Sequence, residues 1–213
     1  MRIGLISQEY PPETAKGGIG TQTQLKARGL AALGHHVRVI SRSPNGKRTE
    51  RIVGKVRVIR VPSSSMPIYT ELADWLSYSQ RVAEEISAQH SVDPFDILDF
   101  PEWACEGYVH LVNQSEWNHV PSVIHLHGPL VMLGRTLGWP DPASEFFRIG
   151  TQMEAASLRL ADAVFSSSDC SADWCAREYG LDRAHIPRLH TGIDTSLFRP
   201  LPVPKASSPT VLF

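Results

Sequence analysis

Two adjacent glycines, Gly17 and Gly18, stand at the mouth of a helix-like stretch in "EYPPETAKGGIGTQTQLKARGLAALGHHVRVIS". Glycine lets a backbone approach an anion closely, and the first amides of a helix point outward with partial positive charge, so a phosphate is the natural guest. A plainer reading fits the same residues: Gly17, Gly18 and Gly20 only turn a loop into a helix. His127, in "HLHGP", follows a strand-like run, where an imidazole can donate to a hydroxyl or stabilise charge developing on a leaving phosphate. His125, two residues earlier, shares a face with His127 on a regular strand, and its reading as a packed core residue is the stronger one. Glu102 and Glu106, in "DFPEWACEG", share a face if a helix begins near Pro101. There they bind acceptor hydroxyls, or they do no more than complement a helix dipole. Trp103, between them, is a third candidate acceptor contact, and it and Trp139 are the tryptophans placed to stack on a ligand ring.

Several competing chemistries lack their residues. "GGIGTQ" misses the third glycine of G-x-G-x-x-G and begins ten residues after the first strand-like run, where a dinucleotide site needs its glycines at once. No Gly-Lys-Ser/Thr follows for a P-loop, and no Tyr-x-x-x-Lys pair supports a short-chain dehydrogenase. Cys170 and Cys175 have no Cys-x-x-Cys spacing, and no third ligand joins the two histidines, so no metal is expected.

The elements that must position these residues alternate regularly. Arg2 to Ser7 reads as a buried strand, Gly18 to Leu33 as a helix with Gly34 at its left-handed cap, and His36 to Ser41 as the next strand, which together make a βαβ unit. "RIVGKVRVIRV" alternates Val/Ile with Arg/Lys and predicts one or two half-exposed strands. From Thr70 to Gln89, Leu72, Leu76, Ala83 and Ile86 fall at helical spacing. Further strands are expected at Asp96 to Phe100, Ser122 to Leu126, Ala163 to Ser167 and Ile186 to His190. The fold class this predicts is α/β, a Rossmann-like doubly wound parallel sheet.

Composition narrows the partners. The 213 residues hold 21 basic and 22 acidic side chains, a balance that argues for no nucleic acid partner. No run approaches the length of a membrane span, and three cysteines without a leader-like start point to a reducing cytoplasm. The basic run Arg42, Lys47, Arg48, Arg51, Lys55, Arg57 and Arg60 reads as a solvated hairpin; peripheral membrane contact through it is the less favoured reading, because the neighbouring helix is acidic. Residues 1–198 are expected as one domain and the Pro/Ser-rich 199–208 as a linker, with 209–213 the start of a second domain.

Five segments in order, "EYPP…GGIGTQTQLKARGLAALGHHVRVIS", "DILDFPEWACEG", "VIHLHGP", "EAASLRLADAVFSSS" and "HTGIDTSLFRP", resemble the amino-terminal half of family 4 glycosyltransferases, retaining enzymes of the GT-B fold. "HTGID" departs from the Asn-Gly-hydrophobic-Asp common at that place, although Gly192 and Asp194 match. The resemblance implies two Rossmann-like domains facing across a cleft, the amino-terminal one for a sugar, glycan or glycolipid acceptor and the other for a nucleotide-sugar donor such as a UDP- or GDP-sugar. It implies that Gly17 and Gly18 offer amides to the donor diphosphate, that His127 sits by the transferred sugar, and that no metal or other cofactor is needed. It also implies that this half is inactive alone. A non-catalytic nucleotide- or sugar-binding domain fits the same loops.

Overall fold

A computed structural model describes residues 1–14, 17–62, 70–200, 202–204 and 208–209. The expected strand start in residues 210–213 and part of the expected linker lie outside them. Seven strands form one sheet: β1 (Arg2–Ile6), β2 (His36–Arg42), β3 (Thr49–Val53), β4 (Val56–Val61), β5 (Ile97–Pro101), β6 (Ser122–Leu126) and β7 (Ala163–Ser166). Their order is β3-β4-β2-β1-β5-β6-β7, and every pairing is parallel except the β3–β4 hairpin. The helices are α1 (Gly18–Ala32), α2 (Glu71–Val92), α3 (Tyr108–Val112), α4 (Leu130–Leu137), α5 (Glu145–Leu160) and α6 (Asp169–Tyr179).

The inner parallel strands bury both faces, as a parallel sheet requires, while the antiparallel edge strand β3 stays largely exposed. On one face α1 lies over Ile3, Leu5, Val37, Val39, Val56 and Val58. It comes close because the residues it buries are small: Gly20, Thr23, Ala27 and Ala31. On the other face the remaining helices cover Ile40, Ile59, Leu98, Phe100, Ile124, Leu126 and Val164. Thr70, Ser144 and Ser168 cap α2, α5 and α6, each hydroxyl accepting from a first-turn amide. Gly34 ends the turn after α1 at φ +90, a region a side chain rarely enters.

Two expectations need correction. In α2 the buried stripe is Trp75, Tyr78, Ser79, Val82 and Ile86, and Leu76 is 46% exposed. The larger rings won the inward face, since they bury the most apolar area. Residues 186–190 form no strand; Ser166 N donates to Pro187 O (3.0 Å) and Leu189 N to Ser166 O (2.8 Å), leaving one isolated bridge. Pro187 has no N–H with which to extend a ladder.

The α1–loop contact tests this packing. A Cβ on Gly20 would stand 2.8 Å from Glu9 Cβ and 3.1 Å from Glu9 backbone atoms, whereas one on Gly29 would meet nothing within 4 Å. Gly20→Ala is expected to lose about 1–3 kcal/mol through overpacking, and Gly29→Ala to gain up to about 1 kcal/mol through helix propensity. Denaturant titration of the two variants should move the midpoints in opposite directions.

Candidate functional site

In an open parallel sheet, ligands bind beyond the carboxyl ends of the strands. Four segments meet there: the loop after β1, the turn after β5, the start of the β6–α4 loop, and the α4–α5 connection.

The loop after β1 is pinned for its first half. Tyr10 is buried; its carbonyl accepts from Arg60 (2.8 Å) and its amide donates to Thr14 Oγ1 (2.9 Å). Ser7 Oγ donates to Glu9 O at 2.7 Å. Gly17 and Gly18 are exposed. Gly17, the residue before α1, is extended, and among the described residues no side-chain hydrogen bond caps the helix; its first turn carries no acidic residue. The uncapped first-turn amides therefore keep their partial positive charge toward solvent. A Cβ at Gly17 would stand 3.1 and 3.5 Å from the Glu9 carboxylate oxygens, while Gly18 has open space around it. Local packing thus accounts for glycine at 17, and openness is the feature of 18.

The turn after β5 corrects the helical-face expectation for Glu102 and Glu106. Trp103–Cys105 is a short 3-10 turn, with Ala104 at φ 57 and Cys105 at φ 50, so no continuous helix joins the two carboxylates. Glu102 is 1% exposed and Glu106 is fully buried. Both bind backbone instead of facing a cleft. Glu102 accepts from His127 N (2.7 and 2.8 Å) and from Gly128 N. Glu106 accepts from Gln8 N at 3.0 and 2.9 Å. Trp103 is half-buried, its ring 6.0 Å from that of half-exposed Trp139 and 5.8 Å from that of Trp75.

His127 is half-buried, and burial, helped by the Lys26 charge, lowers its pKa to about 4. Near neutral pH it is a neutral imidazole, suited to hydrogen bonding but carrying no charge of its own. His125 is 4% exposed and stacks on Phe165 at 4.4 Å, with its ring 4.1 Å from that of His127. Neither of its nitrogens has a hydrogen-bond partner among the described residues, so it packs as an aromatic ring. Burial, then His127 and Lys26, lower its pKa to about 2. Among the described residues no third His, Cys or carboxylate completes a metal cluster. Below His127, Lys26 Nζ pairs with Asp99 (2.8 Å) and lies 5.4 Å from the Phe165 ring centroid. These side chains, with His125 and the 189–194 segment, line an open cleft of about 690 Å³ between α1 and β7.

Two features escaped sequence reasoning. Glu154, buried in α5, accepts from Leu130 N (3.0 Å) and from the Tyr179 hydroxyl. Its signal was available: an acid inside the stripe Phe147, Gly150, Glu154 and Leu158, where only apolar residues would otherwise fit. The second is how far the basic hairpin is neutralised. Arg48 binds Glu85 with two hydrogen bonds, Arg60 meets Glu13 and Arg42 meets Asp74.

The profile of Glycosyltransferase Family 4 matches residues 16–197. A glycogen synthase of Mycobacterium tuberculosis (strain ATCC 25618 / H37Rv) is 25% identical over 212 residues, covering 92% of this chain and 49% of that protein. An MMP alpha-(1->4)-mannosyltransferase of Mycolicibacterium hassiacum is 23% identical over 231 residues, covering 94% and 54%. Among solved structures, a sucrose-phosphate synthase from Thermosynechococcus elongatus superposes with a TM-score of 0.72 at 22% identity, over 94% of this chain and 50% of that one. The chain spans about half the length of the relatives it matches. The fold is the Rossmann-like half of GT-B glycosyltransferases, as expected.

Burial raises the pKa of Glu102 to about 7 and of Glu106 and Glu154 to about 8, against the downward pull of the amides they accept from. Up to about pH 7.5 the unfolded imidazoles of His110, His125 and His127 still release protons that the folded ones no longer hold, which offsets part of the carboxyl slope and fades at higher pH. The carboxyls still hold protons in the folded chain that the unfolded chain, at 4.5, has released. Stability is therefore expected to fall as pH rises from 6.5 to 8, by at most about 1.4 kcal/mol per pH unit for each carboxyl. Thermal midpoints across that range should show a shallower slope for Glu106→Gln, and an unchanged slope would remove Glu106 from this account.

Proposed function

Since the chain belongs to glycosyltransferase family 4, we propose that the whole protein transfers a sugar from a nucleotide-diphosphate sugar, such as a UDP- or GDP-sugar, to an acceptor hydroxyl. Transfer proceeds with retention and without a metal or other cofactor, in the cytoplasm. This half is the acceptor side, and a second domain, beyond a linker at 199–208, supplies most donor contacts. The acceptor is a sugar, glycan or glycolipid; the named relatives act in glucan, mannoside and sucrose-phosphate synthesis.

The observation that carries the reading is the pairing, at one sheet edge, of an uncapped helix N-terminus at Gly17–Gly18 with the neutral imidazole of His127. Amides and a helix dipole suit a diphosphate, whose charge grows as the sugar departs. An uncharged imidazole donates a hydrogen bond to the sugar and leaves the phosphate as the stronger base, so the leaving group itself accepts the acceptor's proton. Catalysis then consists of positioning and of diphosphate stabilisation. Trp103 forms part of the acceptor wall. Glu102 and Glu106, committed to backbone amides, act on the acceptor only through the loops they hold.

The test is sugar transfer by the full-length protein over a panel of nucleotide sugars, beside His127→Ala. Transfer is expected with one donor, with turnover lowered about 10²-fold in the variant and little change in melting temperature. Equal turnover would remove His127 from the site. If no donor supports transfer while the 213-residue chain binds a nucleotide unaided, the domain is a binding module.

A further inference from the structure

Two consecutive non-glycine residues in the left-handed region, Ala104 and Cys105, mark a backbone held against its preference. Such strain persists only where the surroundings over-determine it, and it concentrates where geometry serves function. Here the surroundings can be named. Cys105 N donates to Glu102 O at 3.1 Å, and Glu102 N donates to His125 O at 3.2 Å. A Cβ on Gly107 would stand 2.8 Å from the Phe100 ring, so the chain leaves the turn pressed against β5. The strained pair lies between the two carboxylates, and the carboxylates reach in different directions. Glu102 grips the start of the β6–α4 loop at His127 and Gly128, and Glu106 grips the loop after β1 at Gln8, its second residue.

We propose that Glu102 and Glu106 are positioning residues: a rigid brace, built on the left-handed turn at 104–105, that fixes the His127–Gly128 backbone relative to the loop leading to Gly17–Gly18. The consequence for the reaction rests on the transferase reading above; the brace itself does not. Neither side chain touches solvent enough to meet a substrate, being 1% and 0% exposed. Each works through amides that the sheet cannot satisfy. His127 and Gly128 lie past the last residue of β6, and Gln8 lies past the end of β1, where parallel ladders run out.

The two positions hold separate loops, which distinguishes a brace from ordinary core polarity. Oε1 of Glu102 accepts from both His127 N and Gly128 N, and Oε2 accepts from His127 N as well. Both oxygens of Glu106 face the single amide of Gln8, so one carbonyl oxygen suffices there. One carbonyl oxygen can therefore serve the amides at either position, so glutamine is expected to keep each grip and alanine to release it.

The experiment uses the full-length protein and the variants Glu102→Ala, Glu102→Gln, Glu106→Ala and Glu106→Gln. Two readouts are taken: backbone hydrogen exchange in peptides covering residues 8–14 and 127–130, and kcat and KM with the donor found active. Glu102→Ala is expected to lose protection at 127–128 but not at residue 8 and to lower kcat at least tenfold, since misplacing a reacting group by about 1 Å costs about 10²-fold, and Glu102→Gln to stay near wild type in both. Glu106→Ala is expected to lose protection at residue 8 and to raise the donor KM, and Glu106→Gln to stay near wild type in both. Loss of activity in step with the folded fraction, equal at both positions, would overturn the proposal, as would unchanged protection at 8 and 127–128. If no donor is turned over, the transferase reading fails while the exchange data still decide the brace.

Discussion

A parallel sheet has a defect at its carboxyl edge: the amides just beyond each strand lose their ladder partners as the chain turns into a loop. In this protein three buried glutamates make good that defect. Glu102, Glu106 and Glu154 together accept from the amides of Gln8, His127 and Gly128, in the loops that follow β1 and β6, and of Leu130, the first residue of α4. The cleft-facing features stand on these loops: the imidazole of His127 on one, and the approach to Gly17 and Gly18 on the other.

The same arrangement sets the electrostatics. Carboxyls withdrawn from water resist ionisation, and their mutual repulsion adds to that: Glu102 raises Glu154, and Glu9 and Glu102 raise Glu106. The histidines above them respond to burial in the opposite sense and stay neutral. The edge therefore holds its fixed charge mainly in the ion pairs Lys26–Asp99, Arg60–Glu13 and Arg42–Asp74, besides the Glu9 carboxylate beside Gly17. Polarity there comes mainly from oriented amides and from the N-terminal dipole of α1. Fixed dipoles of this kind stabilise charge that develops during a reaction, and they need no rearrangement when it does.

Much of the fold was legible because local signals and tertiary demand agreed. The strand from Arg2, the helix from Gly18 and the glycine after it follow from β-branched residues, spacing and a cap, and the structure keeps them within one or two residues. Where the reading failed, a long-range term had overruled a local one. The four-residue spacing of Glu102 and Glu106 looked helical, but the backbone between them turns left-handed because each carboxylate is claimed by a different loop. Leu76 looked inward, but Trp75 and Tyr78 had more area to bury. Glu106 was visible as a residue type, but its partner Gln8 lies far away in sequence, and no periodicity encodes such a pairing.

Burying three acids is costly, because each must leave water and each resists the others. Apolar replacements would avoid that cost but would orphan four amides, and an orphaned buried amide costs about as much as the lost hydrogen bond and its desolvation together. The two penalties are of similar size, so stability alone does not select the acids over a loop rearranged to hydrate its own backbone. What a carboxylate provides and water does not is a fixed position. Glu102 joins two successive amides to the end of β5, and Glu106 joins the Gln8 amide of the β1 loop to the same short turn. The separation between these loops is then set inside this half of the protein, by covalent geometry across four residues. A ligand entering the cleft meets amides and an imidazole already in register, and the free energy of ordering them has been met during folding.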